Sequence, residues 1–333
     1  MTLAPEIHAL LDWGAATFQA YSSLPLPALR EALQGELDRE LQRWGVVIDP
    51  VGATVYERID VDGGEIRLRI FVPPGAGPHP AFVHYHGGGF VFGTIDSLVN
   101  DAKCAHICRA AECAVVTVDY RLAPEHRFPA AAEDCYAALC WLAKNAGRFD
   151  IDSTRLAVGG ESAGGNLAAG VALMTRDRGG PPLTLQMLEV PVVDISPGAA
   201  GYPSVALFGA GYGLDWPDME FYAEQYLADS ADGSNPYASP LLAGDLTRVA
   251  PAHVMTAELD VLRDSGEAYG RRLAGAGVET TVHRNLGHTH GSAVLWKAWA
   301  PAQAWMDEVV GVLRRALHER GEEQEWLRSS LSA

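Results

Sequence analysis

The run Val158-Gly159-Gly160-Glu161-Ser162-Ala163-Gly164-Gly165 constrains this chain more than any other stretch. It closes an apolar, strand-like segment at 155–159 and opens a helix-forming one, Asn166 to Met174. A strand that passes into a helix this abruptly must turn sharply, and a serine at the turn is held in strained backbone geometry. Its neighbours two residues away then press against the main chain, so a Cβ at 160 or 164 would clash. The hydroxyl stands at a helix N-terminus, where first-turn amides and the helix dipole favour developing negative charge. Gly160-x-Ser162-x-Gly164 reads as a nucleophile elbow. A glycine-rich helix start that merely permits close packing has the same local pattern, so other motifs must decide.

The surroundings fit an elbow. Short apolar runs at 81–86, 114–119, 155–159, 184–193, 252–259 and 279–283 alternate with longer segments rich in alanine and leucine. Such alternation predicts an α/β fold, a mostly parallel central sheet flanked by helices on both faces. Upstream, Thr54 to Val61 and Glu65 to Val72 have strand character, and Asp62-Gly63-Gly64 between them tolerates positive φ, which predicts a hairpin. Two helical stretches, Glu6 to Tyr21 and Ala28 to Trp44, precede it, parted by Leu24-Pro25-Leu26-Pro27. Between 195 and 251 the alternation lapses into glycine, proline and aromatics with one helical piece, Trp216 to Leu227, and 195–235 is expected to be an insertion over the sheet edge. No repeat period is present.

Composition removes several classes of function. With 48% hydrophobic residues the 333-residue chain can build a real core, which argues against a disordered or fibrous protein. A formal net charge of −17, without any Lys/Arg stripe, repels phosphate backbones and anionic bilayers, so neither nucleic acid nor membrane is an expected partner. Met1 to Tyr21 has no basic n-region and no apolar run approaches bilayer length, so a cytoplasmic protein is expected. The 5 cysteines (Cys104, Cys108, Cys113, Cys135, Cys140) are odd in number and crowded together, unlike a disulfide framework, and read as reduced thiols.

The second motif is His86-Gly87-Gly88-Gly89-Phe90, directly after the run Ala81 to Tyr85. Three glycines leave backbone N–H groups free to approach a substrate oxygen, and a merely flexible loop does not call for the histidine and aromatic at its ends. The third is Asp119-Tyr120-Arg121-Leu122-Ala123-Pro124-Glu125-His126, continued by Phe128-Pro129-Ala130-Ala131, which has the make-up of a stiffened structural loop. Through these motifs, over most of residues 50–300, the sequence resembles the hormone-sensitive-lipase-like carboxylesterases of the α/β-hydrolase superfamily. The resemblance implies an α/β-hydrolase fold with a helical cap: cap segments at 1–45 and 195–235, and a catalytic domain from 46–194 and 236–333. It implies an oxyanion hole of Gly88, Gly89 and Ala163. It also implies a serine carboxylesterase for short- to medium-chain esters, without a cofactor; long-chain lipase action is less expected, since no extended hydrophobic lid is apparent.

A serine hydroxyl is a weak nucleophile and needs a base plus a group that orients the base, in this fold in the order serine, acid, histidine. The run Ala252 to Ala257 leads into Glu258-Leu259-Asp260-Val261-Leu262-Arg263-Asp264, which resembles the family's acid motif with Asp260 in the catalytic position and Val261 where proline is usual. Asp264 falls in the next helix, where an acid near the N-terminus has an ordinary dipole role, and Glu258 still belongs to the strand. Further on, Asn285-Leu286-Gly287-His288-Thr289-His290-Gly291-Ser292 offers two histidines that residue chemistry alone does not separate. The family pattern selects His290, with Ser292 replacing the aromatic that commonly follows, a departure expected to widen the pocket or shift the loop. His288 is expected to be a loop histidine satisfied by backbone or water, and His283 to be structural.

The remaining features have plainer readings. Cys104, His106 and Cys108 invite a metal, but Cys104 and Cys108 are four apart on an expected helix and no Cys-x-x-Cys pair completes a site, so buried thiols and no metal are expected. Trp13, Phe18, Phe208, Tyr212, Trp216 and Tyr222 are expected in the core by default, with a lining for an apolar substrate as the alternative. An amidase or deacetylase acting by the same acyl-enzyme route, and a non-catalytic small-molecule receptor on the same scaffold, remain rival readings. The expected partner is a small-molecule ester, and the oligomeric state stays open, a homodimer included.

Overall fold

The computed structural model describes residues 3–319; the tail of the expected catalytic segment, 320–333, lies outside the described residues. Two helices, α1 (Pro5–Tyr21) and α2 (Leu26–Arg43), come first, each opened by a proline in its first turn. The hairpin β1 (Ala53–Val61) and β2 (Gly64–Val72) pairs Val61 with Gly64, so Asp62 and Gly63 form a two-residue turn with Gly63 at φ 80°. Then follow β3 (His79–Tyr85), α3 (Leu98–Ala110), β4 (Ala114–Asp119), α4 (Ala130–Asn145), β5 (Ile151–Glu161), α5 (Ala163–Arg178) and β6 (Leu185–Glu189). After a long excursion holding α6 (Pro203–Phe208) and α7 (Trp216–Tyr226) come β7 (Ala252–Leu259), α8 (Arg263–Gly275), β8 (Thr280–Thr289) and α9 (Ala300–Arg314).

These strands form one eight-stranded sheet in the order β1-β2-β4-β3-β5-β6-β7-β8. The hairpin joins antiparallel, and every pair from β4 onward is parallel. Alternation along β3 sorts the core into two layers. Ala81, Val83 and Tyr85 face the cluster built with α4, α5 and α8, while Phe82 faces the one built with α3 and α9. Helices cover both faces, as an α/β-hydrolase fold requires.

The strand order reverses between β3 and β5, and in open α/β sheets ligands bind at the carboxyl ends beside such a switch point. The glycine loop leaves the end of β3 and the elbow leaves the end of β5, so topology alone brings the two motifs together. The excursion 195–235 leaves β6 and rejoins before β7, both interior strands, so the edge it crosses is the carboxyl-terminal one and not a flank of the sheet. Phe128 N–H donates to Tyr226 O (2.7 Å) and Arg127 to Leu227 O (2.7 Å), tying it to the loop after β4.

Several boundaries differ from the sequence reading. The run 184–193 is a strand only to Glu189, because Val190 takes φ 38° and Pro191 follows; the rest of the run is buried but irregular. Conversely, β8 extends to Thr289, six residues beyond the apolar run, because it is an outer strand with a largely exposed, polar sequence that carries no apolar period. The excursion contains α6 in addition to the single helix expected. Of the six aromatics, Trp216 and Tyr222 are half-buried and pack against the core, Trp13, Phe208 and Tyr212 are half-buried, and Phe18 is 52% exposed.

Candidate active site

Ser162 sits between β5 and α5 at φ 57°, ψ −116°, a backbone state that costs a non-glycine residue about 1–3 kcal/mol and persists only when its surroundings impose it. Here Ser162 N–H donates to Glu189 O (2.9 Å) and Asn166 N–H to Ser162 O (3.0 Å). The buried Asn166 side chain donates to Val192 O (2.6 Å) and Ala238 O (2.7 Å), clamping the segment after β6 against the elbow. A Cβ on Gly160 or Gly164 would collide with the Tyr85 carbonyl at the end of β3, so both glycines are required by close approach.

The imidazole of His290 lies directly over this turn. Its Nε2 is 3.0 Å from Ser162 Oγ and its Nδ1 is 2.9 Å from Asp260 Oδ2. Asp260, 1% exposed, follows β7, and its other oxygen accepts Leu262 N–H at 2.9 Å, which fixes the carboxylate plane. All three residues expected to act together are thus in one hydrogen-bonded line. The glycine loop closes the site: Gly88 (φ 121°) and Gly89 (φ 61°) adopt conformations open to glycine, and the Tyr222 ring of α7 fills the space a Cβ on Gly89 would need. Among the described residues no protein acceptor takes the N–H of Gly88, Gly89 or Ala163.

The rival acids and histidines have other partners. Glu258 Oε2 accepts Gly287 N–H (2.8 Å) and so ties the histidine loop to β7. Asp264 Oδ2 accepts Ser204 N–H (2.8 Å), anchoring the excursion to α8. His283 Nδ1 pairs with Glu308 at 2.6 Å. His288 is buried beside the rings of Trp299 and Trp305, and burial pushes its pKa down to about 4, so it stays neutral. Its Nδ1 is 2.8 Å from Ser292 Oγ and a backbone hydrogen bond to Pro301 also meets the ring, so backbone satisfies it as expected with a side chain added, although it stands near the end of β8 and not in a loop. Ser292 also accepts Thr289 N–H (3.2 Å) and donates to Thr289 O (2.9 Å), which ties the loop to the end of β8.

The sequence reading missed a buried polar cluster under the elbow. Lys103 Nζ lies 2.9 Å from Glu161 Oε2 and 2.7 Å from Glu189 Oε1, while Trp305 Nε1–H donates to Glu189 Oε2 at 2.6 Å. Glu161 also meets His84 Nε2 (2.9 Å) and accepts Gly87 N–H (3.1 Å), so one carboxylate links the elbow to the glycine loop. Burial opposes every charge here, yet the cluster sustains them. Lys103 and His84 hold Glu161 well below the usual carboxylate range, and Glu161 and Glu189 hold Lys103 above the usual lysine range. Burial works against the His84 cation too, but Cys104 and Glu161 push its pKa up to about 10.

A cavity of about 110 Å³ is lined by Ser162, His290, Lys103, Glu161, Thr289 and Val190. A larger one of about 650 Å³, lined by Arg127, Asp194, Trp216 and Glu220 among others, includes no residue of the Ser162–His290–Asp260 line, and one of about 250 Å³ between Arg30 and Gly88 borders the glycine loop, so the smallest is the one that reaches Ser162 and His290. Among the described residues no three His, Cys, Asp or Glu are grouped to hold a metal. Of the metal-like trio, Cys104 lies 3.6 Å from His84 Nδ1, while His106 pairs with Asp49 at 2.8 Å.

Residues 82–294 match the family described as alpha/beta hydrolase fold. The chain is 43% identical over 261 residues to the carboxylic ester hydrolase LipN of Mycobacterium tuberculosis, covering 76% of this chain and 68% of that one. It is 36% identical over 292 residues to an arylesterase of Saccharolobus solfataricus (87% and 92% covered). An esterase structure from the archaeon Pyrobaculum calidifontis superposes with a TM-score of 0.86 at 35% identity, over 94% of this chain and 98% of that one. The chain belongs to the hormone-sensitive-lipase-like esterase family of the α/β-hydrolase superfamily. It is an ester hydrolase.

Proposed function

We propose that the protein is a serine carboxylesterase that hydrolyses short- to medium-chain esters through an acyl-enzyme. The observation that carries the mechanism is the unbroken line from Ser162 Oγ to His290 Nε2 (3.0 Å) and from His290 Nδ1 to Asp260 (2.9 Å). Ser162 Oγ attacks the ester carbonyl carbon as His290 Nε2 takes its proton. The Asp260 carboxylate accepts Nδ1–H, keeps Nε2 free to act as base, and stabilises the imidazolium that forms. Negative charge on the carbonyl oxygen is met by the N–H groups of Gly88, Gly89 and Ala163, aided by the N-terminus of α5. His290 then protonates the departing alkoxide, the alcohol leaves, and water activated by the same imidazole releases the acid. No bound cofactor or metal is needed for any of these steps.

Segments 1–45 and 195–235 act as a cap in this reading, supported by Tyr222 of α7 against Gly89 and by Leu11 of α1 against Gly213. A cytoplasmic setting is supported by five unpaired cysteines, four of them buried. Among the described residues no helix is long and apolar enough to cross a membrane. The testing experiment is hydrolysis of a p-nitrophenyl ester panel from acetate to dodecanoate. The expected result is highest kcat/KM at two to six acyl carbons, and a maximum at twelve would overturn the chain-length reading.

A further inference from the structure

The cavity beside Ser162 and His290 has a chemical character that a purely aliphatic acyl chain would not need. Its volume of about 110 Å³ holds roughly three or four water-sized groups, each near 30 Å³. Part of its wall is apolar, through Val99, Val190 and Met306. Two members of the same wall are polar and underused. Thr289, 1% exposed, has a hydroxyl oxygen with no hydrogen-bond partner. Lys103, 9% exposed, carries three N–H donors, and Glu161 and Glu189 take two.

An unmet buried polar group costs about 1–3 kcal/mol, which a ligand that supplies the missing partner regains. Lys103 and His84 already balance Glu161 and Glu189, so a charged ligand would find no free counter-ion in this wall, whereas a neutral polar group needs none. A hydroxyl accepts from Lys103 and donates to the unpartnered Thr289 oxygen. The acyl group stays attached to Ser162 after the alcohol has left. A pocket beside Ser162 walled by α3, β5, β6 and α9 suits the group that stays.

We propose that this cavity takes the acyl half of the ester and selects a short acyl chain that bears a hydroxyl, read by Lys103 and Thr289. The inference rests on the assignment of Ser162 and His290 as nucleophile and base. Its test compares p-nitrophenyl 3-hydroxybutyrate with p-nitrophenyl 3-methylbutyrate, which differ by hydroxyl for methyl, each kcat/KM being divided by the ester's own alkaline hydrolysis rate. The expected preference for the hydroxy ester is about tenfold or more, the joint effect of the bonds to Lys103 and Thr289. Thr289→Val keeps the shape and should reduce that preference to about twofold. The double variant Lys103→Met/Glu189→Leu removes that ion pair as a unit and should abolish it. Equal rates, a preference for the methyl ester, or a preference unchanged in Thr289→Val would overturn the proposal. So would a preference of the same size when the hydroxyl is moved to the alcohol half, as in 2-hydroxyethyl against propyl butyrate. Hydrolysis of none of these esters would refute the nucleophile assignment itself, and this inference with it.

Discussion

Replacing Glu161 by Gln and by Ala separates two duties of one side chain. The carboxylate neutralises Lys103 and His84 (2.9 Å each), and it accepts Gly87 N–H (3.1 Å), which fixes the start of the glycine loop. Removing one partner of a buried ion pair costs about 3–5 kcal/mol. Lys103 keeps Glu189 and Glu161 is partly open to the cavity, so the cost falls to or just below the lower end, about 2–3 kcal/mol for either variant. At roughly 2–4 °C per kcal/mol, both should lose about 4–12 °C in Tm. Their kinetics should differ. Gln still offers an oxygen to Gly87 N–H, whereas Ala frees the loop that aims the oxyanion donors, and a single such donor is worth about 10²–10³ in kcat. With p-nitrophenyl acetate, kcat should stay within about tenfold of the parent for Glu161→Gln and fall by about 10² for Glu161→Ala, KM changing less because these donors act mainly in the transition state. Equal kcat for the two variants, or parental kcat in Glu161→Ala, would refute the reasoning.

Three further outcomes follow from the same contacts. Asp260→Asn should lower kcat by about 10⁴ by stabilising the wrong imidazole tautomer, while Asp264→Asn, whose carboxylate bonds to the Ser204 anchor and Arg263, should stay within about tenfold; steady-state kinetics on one ester separates them. His288 remains neutral in the fold down to pH of about 4, whereas an unfolded histidine takes up a proton near pH 6.5, so stability should fall as pH drops between these values; His288→Phe should flatten that part of a Tm-against-pH curve. His84 has the opposite sign. Its pKa of about 10 lies above the unfolded value, so its contribution is complete below pH 6.5 and is lost as pH rises through about 10, a decline that thermal melts from pH 7 to 10.5 should show and His84→Gln should remove.

The parts legible in the sequence are those whose physics is local. A glycine that must let Tyr85 O approach, or adopt φ above zero at 88 and 89, leaves a mark at its own position, so the elbow and the glycine loop could be read directly. Strands buried on both faces, such as β3, announce themselves as apolar runs. The outer strand β8 does not, since its exposed residues carry no such pattern, and β6 was read too long because burial continues through Val193 after the backbone has bent at Val190. The Lys103 cluster was invisible for a different reason: its contacts span 58 and 86 residues, and an isolated lysine on a helix looks like surface. Asp260 and His290 needed the family resemblance, because residue chemistry alone offered Glu258, Asp264 and His288 beside them.

In the proposed mechanism one hydroxyl, and no other group, becomes a nucleophile through His290. Incubation with a stoichiometric organophosphate, followed by mass spectrometry of the digest, reads this directly. A single covalent adduct is expected on Ser162, formed in step with loss of esterase activity, with no adduct in Ser162→Ala and turnover reduced by about 10⁶ in that variant. Labelling of another residue, or esterase activity in Ser162→Ala close to that of the parent, would contradict it.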